Sequence, residues 1–440
     1  MRYWCARTWL PSGVRPNVLV EVRDGRIATV SEQDPTPDAH RLSGLVLPGF
    51  ANAHSHAFHR ALRGRTHSGG GTFWTWRTGM YELAARLNPD SYRKLAAAAY
   101  AEMALTGVTC VGEFHYLHHA PGGARYDDPN AMGHALIQAA EDAGVRITLL
   151  DTLYLCGGLD ADGHRALEGT QSRFGDGDVD GWWSRVERLR AGAHARIGYG
   201  VHSVRAVPAD CLGGVAQRST SGPVHVHLSE QPKENEDCRA YYGRSPAELL
   251  DEHGLVHDRL TAVHATHLSE SDIALLGGLR ATACFCPSTE ADLADGVGPA
   301  RELADAGSPI AIGTDQHASV DPMLEARALE HGERLRTGRR GRFSPAELVT
   351  MITEAGHRGL GWPEAGRIEP GAPGDLVAIR LDSPRTAGCL PEQAVLAATA
   401  SDVDTVVTGG RIVVRQGRHE RLGDVGRLLA EVIDELWEPC

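Results

Sequence analysis

Between residues 223 and 315 the chain reads PVHVHLSE (223–230), SPAELLDEH (245–253), LTAVHATHL (260–268), SESDIALLG (269–277), ATACFCP (281–287), PARELADA (299–306) and PIAIGTD (309–315). Apolar runs of strand length alternate with segments that open on Ser or Pro and repeat Leu and Ala at helical spacing, which predicts strand and helix in strict succession. The β-runs are apolar almost throughout, as strands covered on both faces require. Strands separated by helices must be parallel, because each crossover returns the chain to the same end of the sheet.

The same alternation extends toward the N-terminus. Strand-like runs at 44–56, 108–115, 146–155 and 196–204 precede those at 223–230, 260–268, 281–287 and 309–315, with helical segments at 91–106, 129–143, 181–191 and 208–217 between them. Eight such units close into a barrel, so the expected fold is α/β, a distorted (β/α)8 TIM barrel. Outside it, Asp24-Gly25 sits between the alternating arms of Val18–Val30 and reads as a hairpin. The runs at 375–380 and 405–415, around Gly409-Gly410, add further strands. β-rich ends flanking a barrel predict a small β-sandwich domain built from both termini. The expected division is 1–46 with 365–420 as the composite β-domain, 47–364 as the barrel and 421–440 as a C-terminal helix, amphipathic over Val425–Leu436.

Bulk properties narrow the function. A chain of 440 residues, 42% hydrophobic and 23% charged, can build a large core. A net charge of -13 argues against nucleic acid or an anionic membrane as partner and leaves a small-molecule substrate; an anionic one would need a local basic group. Nine scattered cysteines without a C-x-x-C pair read as free thiols. No run of about 18 apolar residues is present, and Met1–Leu10 lacks a charged segment followed by an apolar one, so the expected location is the cytoplasm.

Catalytic residues of such barrels collect at the carboxyl ends of the strands. Those ends carry His54 and His56, Glu113 and His115, His202 and Arg205, His227 and Glu230, His264 and His267, and Asp315. In His54-Ser55-His56 the two imidazoles share a face, being two residues apart on a strand. Alone, H-x-H is a weak metal signal; with His227 and Asp315 it becomes a His3Asp set suited to a divalent ion.

The ordered pattern PGFANAHSH (48–56), HLSE (227–230), His264 and GTD (313–315) resembles the amidohydrolase superfamily, specifically its mononuclear deaminase branch. Binuclear members bridge their metals with a carbamylated lysine on a middle strand; the two lysines here, Lys94 and Lys233, lie in helix- or loop-like context. One metal per chain is therefore expected. Zinc suits the donor set best, and iron or manganese also fits. The resemblance implies that Asp315 takes a proton from water, Glu230 protonates the substrate nitrogen and His264 stabilises the tetrahedral intermediate.

Within the branch, FWTWR (73–77), EFHYLHH (113–119), HSVRAV (202–207), HVHLSEQ (225–231) and VHATH (263–267) look like the formimidoylglutamate deiminases. That likeness implies hydrolysis of N-formimidoyl-L-glutamate, substrate contacts from Tyr116, His202 and Arg205, and a homodimer. Arg205 offers a planar fork that suits a carboxylate. His59 departs from the pattern, standing where the family carries glutamine; it acts either as a neutral donor or as a cation that titrates near neutrality. A deaminase of heterocycles such as guanine or S-adenosylhomocysteine, and a barrel without catalysis, are the alternatives.

Overall fold

The computed structural model describes residues 1–67 and 73–438, apart from the side chains of Phe73 and Trp74. The 73–77 aromatic run therefore lies partly outside the described residues. Eight strands form the barrel: β1 (Phe50–Ser55), β2 (Val108–His115), β3 (Arg146–Leu153), β4 (Ala195–Val201), β5 (Val224–Leu228), β6 (Leu260–His264), β7 (Thr282–Phe285) and β8 (Ile310–Ile312). They lie side by side in chain order and every neighbouring pair is parallel. β2 and β3 are buried at every position, so their apolar residues face the packed layers and their few polar ones, Glu113, His115, Arg146 and Asp151 among them, are buried with them.

β8 returns to β1 through the residues just beyond it. The amides of Thr314 and Asp315 each donate to the His54 carbonyl at 3.0 Å, and the His56 amide donates to the Asp315 carbonyl at 3.1 Å. The seam that nearly closes the barrel thus consists of the backbone of three proposed metal ligands. Side chains mounted on a hydrogen-bonded seam cannot drift apart without opening it.

The intervening helices begin where capping chemistry dictates. Asn88 Oδ1 accepts from the amides of Asp90 and Ser91 at 3.0 Å while Ser91 Oγ accepts from the Asn88 amide, starting the Ala-rich helix Pro89–Leu105. Ser245 and Ser269 cap Pro246–Glu252 and Glu270–Gly278 in the same way.

The run read as one strand, 44–56, is two strands in two sheets. Leu45–Pro48 pairs with Leu376–Ile379 outside the barrel, and β1 starts at Phe50. Gly49 marks the break because a Cβ there would meet the Thr109 side chain and the Asp375 Cβ. The terminal strands form one nine-stranded sheet, including Arg2–Leu10, Gly13–Arg23, Arg26–Glu32 and Val403–Thr408. Segments from the two ends of the chain are tied together in it: Tyr3 Oη donates to the Gly410 carbonyl at 2.9 Å and the Ile27 amide to the Ala372 carbonyl at 2.8 Å, over a core of Tyr3, Val20, Ile27, Leu376 and Val407. Asp24 (φ 49°) and Gly25 (φ 76°) form the expected hairpin turn in the left-handed region.

The helix Val425–Trp437 buries Val425, Leu429, Val432, Ile433 and Leu436 and packs along Pro89–Leu105. Among the described residues no helix is long and apolar enough to cross a membrane, and the eight described cysteines are free.

Candidate metal centre and active-site pocket

His54 and His56 leave the end of β1, His227 stands in β5, and Asp315 follows β8. Their ligand atoms all lie within 4.8 Å of one another, and all four residues are buried. His54 Nε2 is 3.1 Å from His227 Nε2 and 3.3 Å from Asp315 Oδ1; His56 Nε2 is 3.4 Å from His227 Nε2 and 3.3 Å from Asp315 Oδ1.

The hydrogen bonds behind the rings decide what these nitrogens are. His56 Nδ1 donates to the Phe114 carbonyl and His227 Nδ1 to the His202 carbonyl, both at 2.9 Å. Carbonyls only accept, so the protons of these two neutral rings sit on Nδ1 and their Nε2 lone pairs point inward. Burial keeps the rings neutral: it holds His54 at about 3 and pushes His56 and His227 below the usual range. For Asp315 burial alone would raise the carboxyl, but the imidazoles of His54 and His56 beside it outweigh that and hold it far below the usual carboxylate range. Lone pairs and a carboxylate converging at 3.1–3.4 Å repel unless a cation lies among them.

Several site residues occupy left-handed backbone at strand ends: Ser229 (φ 51°), His264 (φ 68°), Ala265 (φ 48°), Asp315 (φ 42°) and His317 (φ 60°). Each costs a non-glycine residue about 1–2 kcal/mol. Such turns end the alternation of a strand and aim consecutive side chains at the barrel mouth.

A cavity of about 410 Å³ opens over the donor set, a size that suits a small metabolite. It is lined by all of the proposed substrate residues, His59, Tyr116, His202 and Arg205, and by Glu230 and His264. His202 serves twice, since its carbonyl orients His227 while its ring packs 4.4 Å from Tyr154. Arg205 is engaged from two sides, with Nη2 at 3.2 Å from Glu230 and Nε at 3.4 Å from Glu234. His264 Nε2 faces Glu230 at 3.8 Å. Burial opposes charge on His264, yet Glu230, Glu290 and Asp315 together raise it well above its ordinary value.

His59 is 2% exposed, with Nε2 3.1 Å from Tyr116 Oη and its ring 4.5 Å from that of His56. Burial, then the neighbouring His56, holds it well below the imidazole range. Of the two readings left open for this residue, the geometry favours the neutral one.

Three contributors went unrecognised in the sequence. Arg77 lines the cavity, with Nε donating to Tyr81 Oη at 2.7 Å; it closes the FWTWR motif, for which the sequence left pocket lining, a dimer contact and packing open without singling out the arginine. Glu234 comes four residues after Glu230 but lies on the helix Pro232–Tyr242, which starts only after Glu230, so the spacing alone does not place them together. Glu290 sits behind His264, within an unremarkable CPSTE run. Conversely, Glu113 faces away from the cavity: it accepts from Ser55 Oγ at 2.9 Å and the Ala57 amide at 2.7 Å, and burial pushes it up to about 8.

His115, His118 and Asp151 form a second buried cluster. Asp151 already accepts from Arg185 at 2.6 and 2.8 Å and from Trp182 Nε1 at 3.0 Å. His118 Nε2 donates to the Thr152 carbonyl at 2.9 Å, leaving Nδ1 to accept from His115 Nε2 at 3.3 Å. With all of these polar atoms committed except His115 Nδ1, and a guanidinium alongside, the cluster reads as a core network rather than a second donor set.

A (β/α)8 barrel with three histidines and an aspartate converging at its mouth is the scaffold of a metal-assisted hydrolase. Residues 45–413 match the model of the amidohydrolase family, and the chain belongs to that family. It is 37% identical to the formimidoylglutamate deiminase of Pseudomonas aeruginosa, with 98% of each chain covered. It is 30% identical to the 8-oxoguanine deaminase of the same organism, over 93% of this chain and 92% of that one. A solved amidohydrolase from Brucella melitensis superposes with a TM-score of 0.90 at 32% identity, covering 99% of this chain and all of that one. The protein is an enzyme, a deaminase of the amidohydrolase family.

Proposed function

We propose that the protein hydrolyses N-formimidoyl-L-glutamate to N-formyl-L-glutamate and ammonia. The observation that carries this reading is that one cavity joins the His3Asp donor set to a wall bearing Arg205, His202, Tyr116 and His59. It is supported by whole-length similarity to a formimidoylglutamate deiminase. Water adds to the formimidoyl carbon, the C–N bond to the terminal nitrogen breaks, and that nitrogen leaves as ammonia.

His54, His56, His227 and Asp315 would hold one divalent cation, with zinc the best match to the donor set. That cation supplies Lewis acidity, which makes a hydroxide nucleophile available near neutral pH. One ion agrees with the lysines: Lys94 pairs with Glu435 at 3.5 Å and Lys233 with Asp237 at 2.9 Å, both away from the barrel strands.

In this reading Asp315 accepts the proton that water gives up. Glu230 delivers a proton to the imine nitrogen and again to the departing amine. His264 donates from Nε2 to the oxygen that gains charge as the tetrahedral centre forms. Arg205 turns from Glu230 toward a substrate carboxylate, which also releases Glu230 for proton transfer. His202, Tyr116 and neutral His59 orient the glutamate portion, and Arg77 offers a second cation for a dianion.

The aromatic wall of Tyr116, Tyr154 and Phe174 suits a planar heterocycle as well, so 8-oxoguanine is the second substrate to assay. The test is ammonia release from formimidoylglutamate by the purified protein, with N-formylglutamate identified as co-product. Turnover of the purine but not of formimidoylglutamate would overturn the assignment.

A further inference from the structure

His264 occupies a left-handed backbone position (φ 68°) at the end of β6, followed by Ala265 in the same region. Its ring lies between two carboxylates. Nε2 faces Glu230 across the cavity at 3.8 Å, and Nδ1 lies 3.4 Å from Glu290 Oε1 on the opposite side. Glu290 is 5% exposed and belongs to the short helix Pro287–Asp292 that follows β7. Its Oε1 also accepts from the Cys286 amide at 2.8 Å, so the carboxylate is pinned by its own chain before it meets the ring. Glu290 is not part of the cavity wall, whereas His264 is. Whatever Glu290 does for the reaction, it does through His264.

A buried carboxylate is costly unless paired. Capping the Cys286 amide would need only a neutral oxygen, so the charge calls for a partner, and the ring edge is the group placed to supply one. A histidine whose far nitrogen is held by a fixed acceptor keeps one ring orientation and keeps a proton on that nitrogen.

We propose that Glu290 is a positioning residue for the reaction: by accepting from His264 Nδ1 it keeps the proton on that nitrogen and turns Nε2 into the cavity toward the reacting centre. This assignment rests on the hydrolytic reading of the site.

The experiment combines kinetics with the nitrogen-15 shifts of the His264 ring, assigned with a His264→Asn variant, in protein loaded with zinc. In Glu290→Ala, kcat falls roughly 10–100-fold, while KM and zinc content stay at the parent level and the His264 Nδ1 shift loses the signature of a protonated nitrogen. Glu290→Gln, which retains an oxygen for both Cys286 and the ring, keeps the Nδ1–H pattern and recovers part of the lost kcat. Adding Glu290→Ala to His264→Ala costs little more than His264→Ala alone. The proposal is overturned by parent-like kcat in both Glu290 variants, or by a lowered kcat with unchanged His264 shifts, which marks Glu290 as a helix cap only. Should the parent fail to release ammonia from formimidoylglutamate, the substrate reading fails by itself. The ring shifts of Glu290→Ala then still decide whether Glu290 sets the state of His264.

Discussion

At the level of single residues, the chemistry depends on which nitrogen of each ring carries a proton. Two backbone carbonyls, of Phe114 and His202, put the protons of His56 and His227 on the outer nitrogens and leave the inner ones to a cation. Glu230 lies within reach of both His264 and Arg205, the place from which an acid can serve the leaving nitrogen. Glu230→Gln is expected to keep its metal while kcat drops about 10²–10⁴-fold; metal analysis beside steady-state kinetics checks this, and an unchanged kcat removes Glu230 from the reaction. Losing a charge-assisted contact worth roughly 1.5–3 kcal/mol, Arg205→Met should lower kcat/KM for formimidoylglutamate by about 10–150-fold. The loss should be much smaller for a formamidine without carboxylates. Equal losses on both would assign Arg205 to holding Glu230 and Glu234 in place. Because burial holds His59 well below the imidazole range, the pH profiles of KM for the parent and for His59→Gln are expected to run parallel; a difference confined to the alkaline side would show that His59 titrates against the substrate.

Elements contribute by where they stop. β5, β6 and β8 end at Leu228, His264 and Ile312, and left-handed turns at Ser229, His264 and Asp315 go with the delivery of Glu230, His264 and Asp315 to the cavity wall. Helices follow at once, and one of them holds a group whose titration bears on stability. Glu325, on Pro322–Thr337, is buried, accepts from the Ser288 amide at 2.8 Å, and is pushed by its burial up to about 8. An unfolded glutamate titrates near ~4.3, so folding raises its affinity for a proton. The folded state is therefore not penalised below that value, and it loses stability as pH rises from about 4.3 through 8. Glu325→Gln keeps an oxygen for Ser288 and has no charge to bury. Calorimetry should find its Tm close to the parent's near pH ~5 and above it near pH ~8.5; a gain that is equal at both would show that Glu325 is not the titrating group.

Across the whole molecule, metal binding and barrel closure share a set of residues. The backbones of His54, His56 and Asp315 make the β1–β8 seam, and their side chains make most of the donor set. An ion bound only by the folded state adds about 4 kcal/mol of stability at a thousandfold excess over Kd. Chelation should therefore lower Tm as well as abolish activity, with both restored by zinc at one equivalent per chain. Asp315→Asn should lose most activity and much of the zinc-dependent rise in Tm. Two tightly held ions per chain, or full activity in Asp315→Asn, would sink the single-metal reading.

The barrel was legible because its signals are local: strand-length apolar runs, capping residues and the i, i+2 rule of a strand depend on neighbours along the chain. For the same reason His54, His56, His227 and Asp315 could be grouped before any coordinates, since parallel strands in register place all their carboxyl ends on one face. The split of residues 44–56 at Gly49, the second engagement of Arg205 by Glu234, the burial of His59 and the contact of Glu290 with His264 were not legible. Each depends on burial or on partners far apart in the chain. Periodicity along a strand says which way a side chain points, but only the packed barrel determines what it meets and whether water is left to keep it charged.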